Sequence, residues 1–248
     1  MKLHLDKSLF QEAIQATAQH IGIPEVYVEK DYWVSLVLLE IFSSEISDLV
    51  VFKGGTCLSK CHNLIQRFSE DIDLVIIPVK GEPTNQFSKR MKMVSKIVEK
   101  ILPETHIEGY TNKRGNIRKT VHQYDKVFDS NLVQVADHLI LEASLLGNSE
   151  PFTKQKISSY LLDFMIHAGT EDLIKKHNMA AFNEWLKNHP GSAIIFDSPE
   201  KVWSHIMKAY QGSFKQMVYG ELPSESDLLD TLGKISKRIK PIDWQVGR

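Results

Sequence analysis

The sequence predicts an α+β domain over residues 1–152 followed by a helical bundle domain over residues 153–248, with two N-terminal helices that could pack on either. Three observations carry this. The hydrophobic period changes abruptly at Leu49, after two helical patterns. Two short apolar runs, 49–52 and 71–77, bracket a Gly54-Gly55 turn. Beyond Gly147 most of the chain shows helical spacing, punctuated by Pro151, Pro190, Pro199, Pro223 and Pro241.

The elements follow in order. Leu9, Phe10, Ala13, Ile14 and Thr17 recur at helical spacing over 7–20 and stop at Gly22. Pro24 suits the first turn of a second helix running to about Phe42, and its segment Glu29-Lys30-Asp31-Tyr32 is charged. Leu49-Val50-Val51-Phe52 reads as a buried strand, Thr56–Leu64 as a helix, and Asp71–Ile77 as a second strand stopped by Pro78. Thr84 or Asn85 can cap a helix that buries Phe87, Met91, Val94, Ile97, Val98 and Ile101. Strand-like stretches follow at 105–111, 117–126 and 132–146. Helices are then expected at about 154–168, 170–177, 179–188, 199–210 and 225–237.

Composition narrows the function classes. The chain has 248 residues, 42% of them apolar and 25% charged, so wholesale disorder is excluded. No apolar run approaches the roughly 18 residues of a membrane span, and the first residues lack a secretory h-region. The only cysteines, Cys57 and Cys61, stand one helical turn apart; they read as buried free thiols of a reduced, cytoplasmic protein. No His spacing suggests a metal site, and no G-x-S-x-G elbow suggests a serine hydrolase. The net charge of −1 hides an asymmetry. Residues 80–126 hold eleven Lys/Arg against five acids, a net of +6, and Lys89, Lys92, Lys96 and Lys100 share one stripe of the predicted helix. Such a face suits a polyanion, although charge alone is equally the mark of a solvated surface.

The chemistry concentrates in Lys53-Gly54-Gly55-Thr56 and, fifteen residues beyond Thr56, Asp71-Ile72-Asp73. On a strand, Asp71 and Asp73 project to the same side, while Ile72 and Leu74 face the core. Two such carboxylates repel each other unless a cation lies between them, and oxygen ligands suit Mg²⁺ or Mn²⁺. Glu142, set between Leu141 and Ala143 on a predicted strand, is the candidate third acid. A glycine pair at a strand-to-helix turn allows close approach of an anion to backbone N–H groups. Thr56, Lys60, Arg67 and Ser69 are further phosphate-binding candidates. The turn is neither a Walker A loop nor a Rossmann fingerprint.

The segments Phe52-Lys53-Gly54-Gly55-Thr56-Cys57-Leu58-Ser59-Lys60 and Arg67-Phe68-Ser69-Glu70-Asp71-Ile72-Asp73-Leu74 resemble the AbiEii-type nucleotidyltransferases of the polymerase-β-like superfamily, the toxin half of bacterial toxin–antitoxin pairs. The resemblance is clear over about residues 25–75 and weaker through Glu142 and Lys156-Ile157-Ser158-Ser159. It implies a nucleotidyltransferase-type mixed sheet with flanking helices, with Asp71, Asp73 and Glu142 as catalytic, metal-binding acids for Mg²⁺ or Mn²⁺. It also implies an NTP held by Gly54, Gly55, Thr56 and Ser69, with Lys60 and Arg67 beside them. The implied reaction moves a nucleotidyl group to an acceptor hydroxyl and releases pyrophosphate. In some relatives the acceptor is tRNA or another RNA, which would give the basic 80–126 face a role, and an antitoxin protein would be the partner. Many members carry a later T-F-x-E-K stretch and an R-H-x-x-D; between Gly169 and Trp185 nothing comparable occurs. The alternative is therefore a catalytically silent protein of the same fold that binds RNA or a protein partner. A small-molecule nucleotidyltransferase is a third reading. His122 and Tyr124, alternating with Arg118 and Thr120, read as strand cover or as the lining of a cleft.

Overall fold

The computed structural model describes residues 1–61, 71–79, 81–129, 135–145, 153–179 and 186–188, together with Ser224, Ser226, Asp227, Asp230 and Lys234. Helix α1 (Lys7–Ile21) starts where the Asp6 carboxylate accepts from Leu9 N–H at 3.2 Å. It ends at Gly22, whose φ of +72° few other residues adopt. Helix α2 (Glu25–Phe42) follows Pro24 and is buried on nearly every side from Val26 to Leu38, as a helix at the centre of a core must be. Strand β1 (Val50–Lys53) leads directly into α3 (Gly54–Lys60), two residues earlier than the sequence suggests.

Strand β2 (Asp71–Ile76), helix α4 (Thr84–Glu99), β3 (Glu104–Thr105), β4 (Ile117–Gln123) and β5 (His138–Ser144) come next. Then come β6 (Thr153–Gln155), α5 (Tyr160–His167), α6 (Glu171–Lys176) and β7 (Leu186–Asn188). The described strands form one sheet in the order β3-β4-β5-β2-β1-β7-β6. The β2–β5 and β1–β7 pairs are parallel and the rest antiparallel, so the sheet is mixed.

One face of this sheet carries the core. Phe52, Ile72, Leu74, Ile76, Leu139, Leu141 and Ala143 pack with Phe10 and Ile14 of α1, the apolar side of α2, and Met91, Val94 and Val98 of α4. The Ser159 hydroxyl caps α5 by accepting from Leu162 N–H, and α5 packs on α1 and α2. Ile157, Leu161, Leu162, Met165 and Met179 share the core formed by α1, α2 and the sheet. Two expectations fail. Residues 153–155 and 186–188 are strands that extend the sheet beyond β1 rather than parts of helices. The 105–111 stretch pairs with β4 only at Glu104 and Thr105. Ser226, Asp227, Asp230 and Lys234 are helical, and Ser224 Oγ accepts from Asp227 N–H at their start. Otherwise the C-terminal helical bundle lies outside the described residues. No helix among those described is long and apolar enough to cross a membrane.

Three consecutive charged residues of α2 tie the layers together. Glu29 accepts from the N–H groups of Val127 (2.8 Å) and Phe128 (3.2 Å), and burial raises its carboxyl above the ordinary range. Lys30, fully buried, donates to the Ala136 carbonyl at 2.7 Å. Asp31 takes the ammonium of Lys60 and the N–H of Tyr160 at 2.8 Å. Burial of three charges is tolerable only because each is hydrogen-bonded.

Candidate active site

The second face of the sheet carries the chemistry. Period-two alternation turns Asp71 and Asp73 away from the core, and both are half-buried. The β2–β5 register sets Asp73 opposite Glu142, with Asp71 opposite Ile140. The β1–β2 register sets Lys53 opposite Asp73, and the β4–β5 register sets Lys119 opposite Glu142. Four adjacent strands thus present one row, Lys53, Asp73, Glu142, Lys119, with two acids between two cations. Lys119 Nζ lies 3.8 Å from Glu142 Oε2, and Lys53 Nζ donates to Ser144 Oγ at 3.5 Å.

Asp73 is the strained member. Burial, then repulsion from Asp71 and Glu142, pushes its carboxyl up to about 6, against the pull of Lys53 and Lys119. It also lies against Gly54. A Cβ added at Gly54 would stand 2.9 Å from Asp73 Cγ and 3.1 Å from its Cβ, and Gly54 has φ +81°. Only glycine fits both the conformation and the contact. The strand-to-helix turn is therefore shaped around the carboxylate that faces it.

The other candidates fall out differently. Gly55 is in the first turn of α3. The Thr56 hydroxyl donates to the Asp71 carbonyl at 2.6 Å, fastening α3 to the start of β2. Lys60 is committed elsewhere. Its ammonium is paired with Asp31, donates to the Ser158 carbonyl at 3.1 Å and lies 5.6 Å from the Tyr160 ring centroid. Arg67 and Ser69 lie outside the described residues. His122 and Thr120 are fully buried and bonded to each other at 3.0 Å, and His122 Nδ1 faces the Leu102 carbonyl, so they cover the helical side rather than line a cleft. A cavity of about 630 Å³ does open at that end, between His4, Trp33, Tyr124 and Val127, but none of the acids lines it.

The four lysines of the α4 stripe are all exposed. Helix α4 packs on the opposite face of the sheet from the acids, where Arg118 Nε donates to Ser95 Oγ at 2.8 Å. The basic helix therefore does not overhang the acidic row.

Sequence reasoning missed Lys53 and Lys119 as members of the row. The available signal was parity: Lys119 lies on the alternate side of β4 from Arg118, Thr120 and His122.

Residues 37–175, more than half of the chain, match the family model described as "Nucleotidyl transferase AbiEii toxin, Type IV TA system". The chain belongs to the AbiEii nucleotidyltransferase toxin family. No curated protein matches it. Among solved structures it is similar to MenT4, nucleotidyltransferase toxin Rv2826c from Mycobacterium tuberculosis H37Rv. The identity is 17% and the TM-score 0.38, over 57% of this chain and 47% of that one. The chain thus spans about half the length of that structure. The AbiEii match covers β1 to α6, including both glycines, both aspartates and Glu142.

Enzymes that transfer nucleotides typically use divalent metals, and the donor set here fits one. Asp71, Asp73 and Glu142 offer oxygen donors only, the type that suits Mg²⁺ or Mn²⁺. Among the described residues no three acids close into a ligand cage of their own.

Proposed function

We propose that this AbiEii-family chain is a metal-dependent nucleotidyltransferase that moves a nucleotidyl group from an NTP to an acceptor hydroxyl, with RNA or tRNA as the acceptor class. The observation that carries the reading is the in-register juxtaposition of Asp73 with Glu142, beside Asp71 and against Gly54. Asp71, Asp73 and Glu142 would hold Mg²⁺ or Mn²⁺. When bound, the metal supplies a lowered pKa at the acceptor hydroxyl and neutralises the leaving pyrophosphate.

The chain's own residues do the rest. Gly54 makes room for the Asp73 carboxylate at the β1–α3 turn, and Gly55 and Thr56 beside it, with Ser69 and Arg67, would take the phosphates. Lys53, opposite Asp73 and with its ammonium reaching Ser144 of β5, adds a positive charge beside the acids. The acceptor oxygen bonds to the α-phosphorus, the bond to the bridging α–β oxygen breaks, and pyrophosphate departs with that electron pair. Glu142, the acid farthest from the glycine turn, takes the acceptor's proton. The toxin reading also assigns a protein antitoxin as partner.

The deciding experiment incubates the protein with Mg²⁺ or Mn²⁺, each α-³²P-labelled NTP and total bacterial RNA, beside an Asp71→Asn/Asp73→Asn variant. Label on RNA with the wild type alone establishes the reaction. If label is absent and calorimetry finds no NTP binding, the enzyme reading is lost. What remains is a silent nucleotidyltransferase fold that acts by binding RNA or protein.

A further inference from the structure

We propose that the cavity between the start of α1 and the end of β4 binds a free α-amino acid with a large apolar side chain. The cavity lies on the helical side of the sheet, away from Asp73 and Glu142, and the proposal does not rest on the nucleotidyl-transfer reading. Three segments converge on it: the turn that leads into α1, the link between α4 and β3, and the end of β4. Its volume of about 630 Å³ falls within the range of small-molecule sites.

Walls and mouth differ in chemistry. Leu5, Ile101, Pro103 and Val127 supply apolar walls, and Leu5 is 71% exposed. An apolar group that enters therefore leaves water on several sides at once. The floor is closed. Trp33 and Tyr124 are stacked there with centroids 5.4 Å apart, and they are only 3% and 5% exposed.

The mouth holds one cation and one anion. Lys7 Nζ is 3.6 Å from Asp125 Oδ2, too long for a hydrogen bond, and the two side chains are 74% and 86% exposed. Such a pair contributes little to stability and is cheap to rearrange. It selects by charge. An anion that gains from Lys7 is repelled by Asp125, and a cation meets the reverse, so neither a nucleotide nor a polyamine is favoured. A zwitterion whose ammonium and carboxylate share one carbon answers both, with the ammonium on Asp125 and the carboxylate on Lys7. An α-amino acid is the simplest such molecule, and its side chain is left for the apolar walls.

His4, also in the wall, adds hydrogen bonding without a further charge. The Tyr32 hydroxyl accepts from His4 N–H at 3.4 Å, which leaves its own proton for His4 Nδ1 at 2.7 Å and puts the imidazole hydrogen on Nε2. Burial lowers the His4 pKa, so the ring is neutral at pH 7.

The test uses L-phenylalanine, 3-phenylpropionate and phenethylamine, which share one ring and differ only in their charged groups. Binding is measured by calorimetry, with melting curves to confirm folding. L-Phenylalanine is expected to bind about fivefold more tightly than either analogue and to raise the melting temperature. Lys7→Gln should weaken L-phenylalanine and 3-phenylpropionate about fivefold and spare phenethylamine. Asp125→Asn should weaken L-phenylalanine and phenethylamine and spare 3-phenylpropionate. Lys7→Arg should bind as the wild type does, and Lys92→Met on the outer face of α4 should change nothing. Absence of L-phenylalanine binding at about 10 mM would overturn the proposal. So would equal affinity for the three compounds, or mouth variants that leave all three unchanged, because the cavity would then accept a ring without reading its charges.

Discussion

Gly54 and Asp73 share one space: the hydrogen on the Gly54 Cα points to where the Asp73 carboxylate lies, and no side chain fits between them. Gly54→Ala is therefore expected both to strain a backbone at φ +81° and to push Asp73 off its position. Gly22 has φ +72° but open space where a methyl would go, so Gly22→Ala should cost only about 1–2 kcal/mol of backbone strain. Calorimetric metal–NTP binding and melting curves on both variants separate the effects. Gly54→Ala should lose binding, whereas Gly22→Ala should lose stability alone.

The Asp73 carboxyl, held at about 6 against an ordinary 3.8, makes stability depend on pH. The native state binds this proton more tightly than the unfolded chain does. Stability from this group is therefore full below about pH 4 and falls as pH rises through about 6. The penalty above that range is on the order of 3 kcal/mol. Asp73→Asn should flatten the slope and be the more stable protein at pH 7 without metal. Added Mg²⁺ should raise the melting temperature of the wild type and leave Asp73→Asn unmoved.

Lys60 and Asp31 are 7% and 6% exposed, so neither can lose its partner cheaply. Lys60→Met or Asp31→Asn should cost about 3–5 kcal/mol in urea denaturation. A phosphate-binding Lys60 would give the opposite pattern, with NTP affinity lost and stability kept.

Neutralising Lys89, Lys92, Lys96 and Lys100 to Gln tests the orientation of α4. Because these side chains are exposed on the side of the sheet away from Asp73, metal–NTP affinity should be unchanged and stability should move by no more than about 0.5 kcal/mol per substitution. A large loss of NTP affinity would mean that the stripe reaches the acids.

The period-two rule is enough to put Asp71 and Asp73 on one face, and the apolar neighbours of Glu142 mark it as more than a surface charge. What no local pattern contains is register. Asp73 meets Glu142 across strands sixty-nine residues apart in the chain, and only that pairing brings Lys53 and Lys119 into line with them. The pairing of Lys60 with Asp31 is hidden for the same reason: its spacing from Thr56 is visible, but the helix that faces it is not. Strands β6 and β7 escape because three-residue strands such as Thr153-Lys154-Gln155 and Leu186-Lys187-Asn188 leave no periodic trace.

The Glu29-Lys30-Asp31 cluster has a consequence for the order of assembly. Its partners lie 98 to 129 residues downstream, except Lys60. As the ribosome delivers the chain, α2 emerges early with three charges that cannot be buried until Val127, Ala136 and Tyr160 have followed. Closure of the core is thereby deferred until most of the chain is made. A nascent chain built this way is expected to stay open, with Asp73 and Glu142 apart, until those downstream partners have emerged.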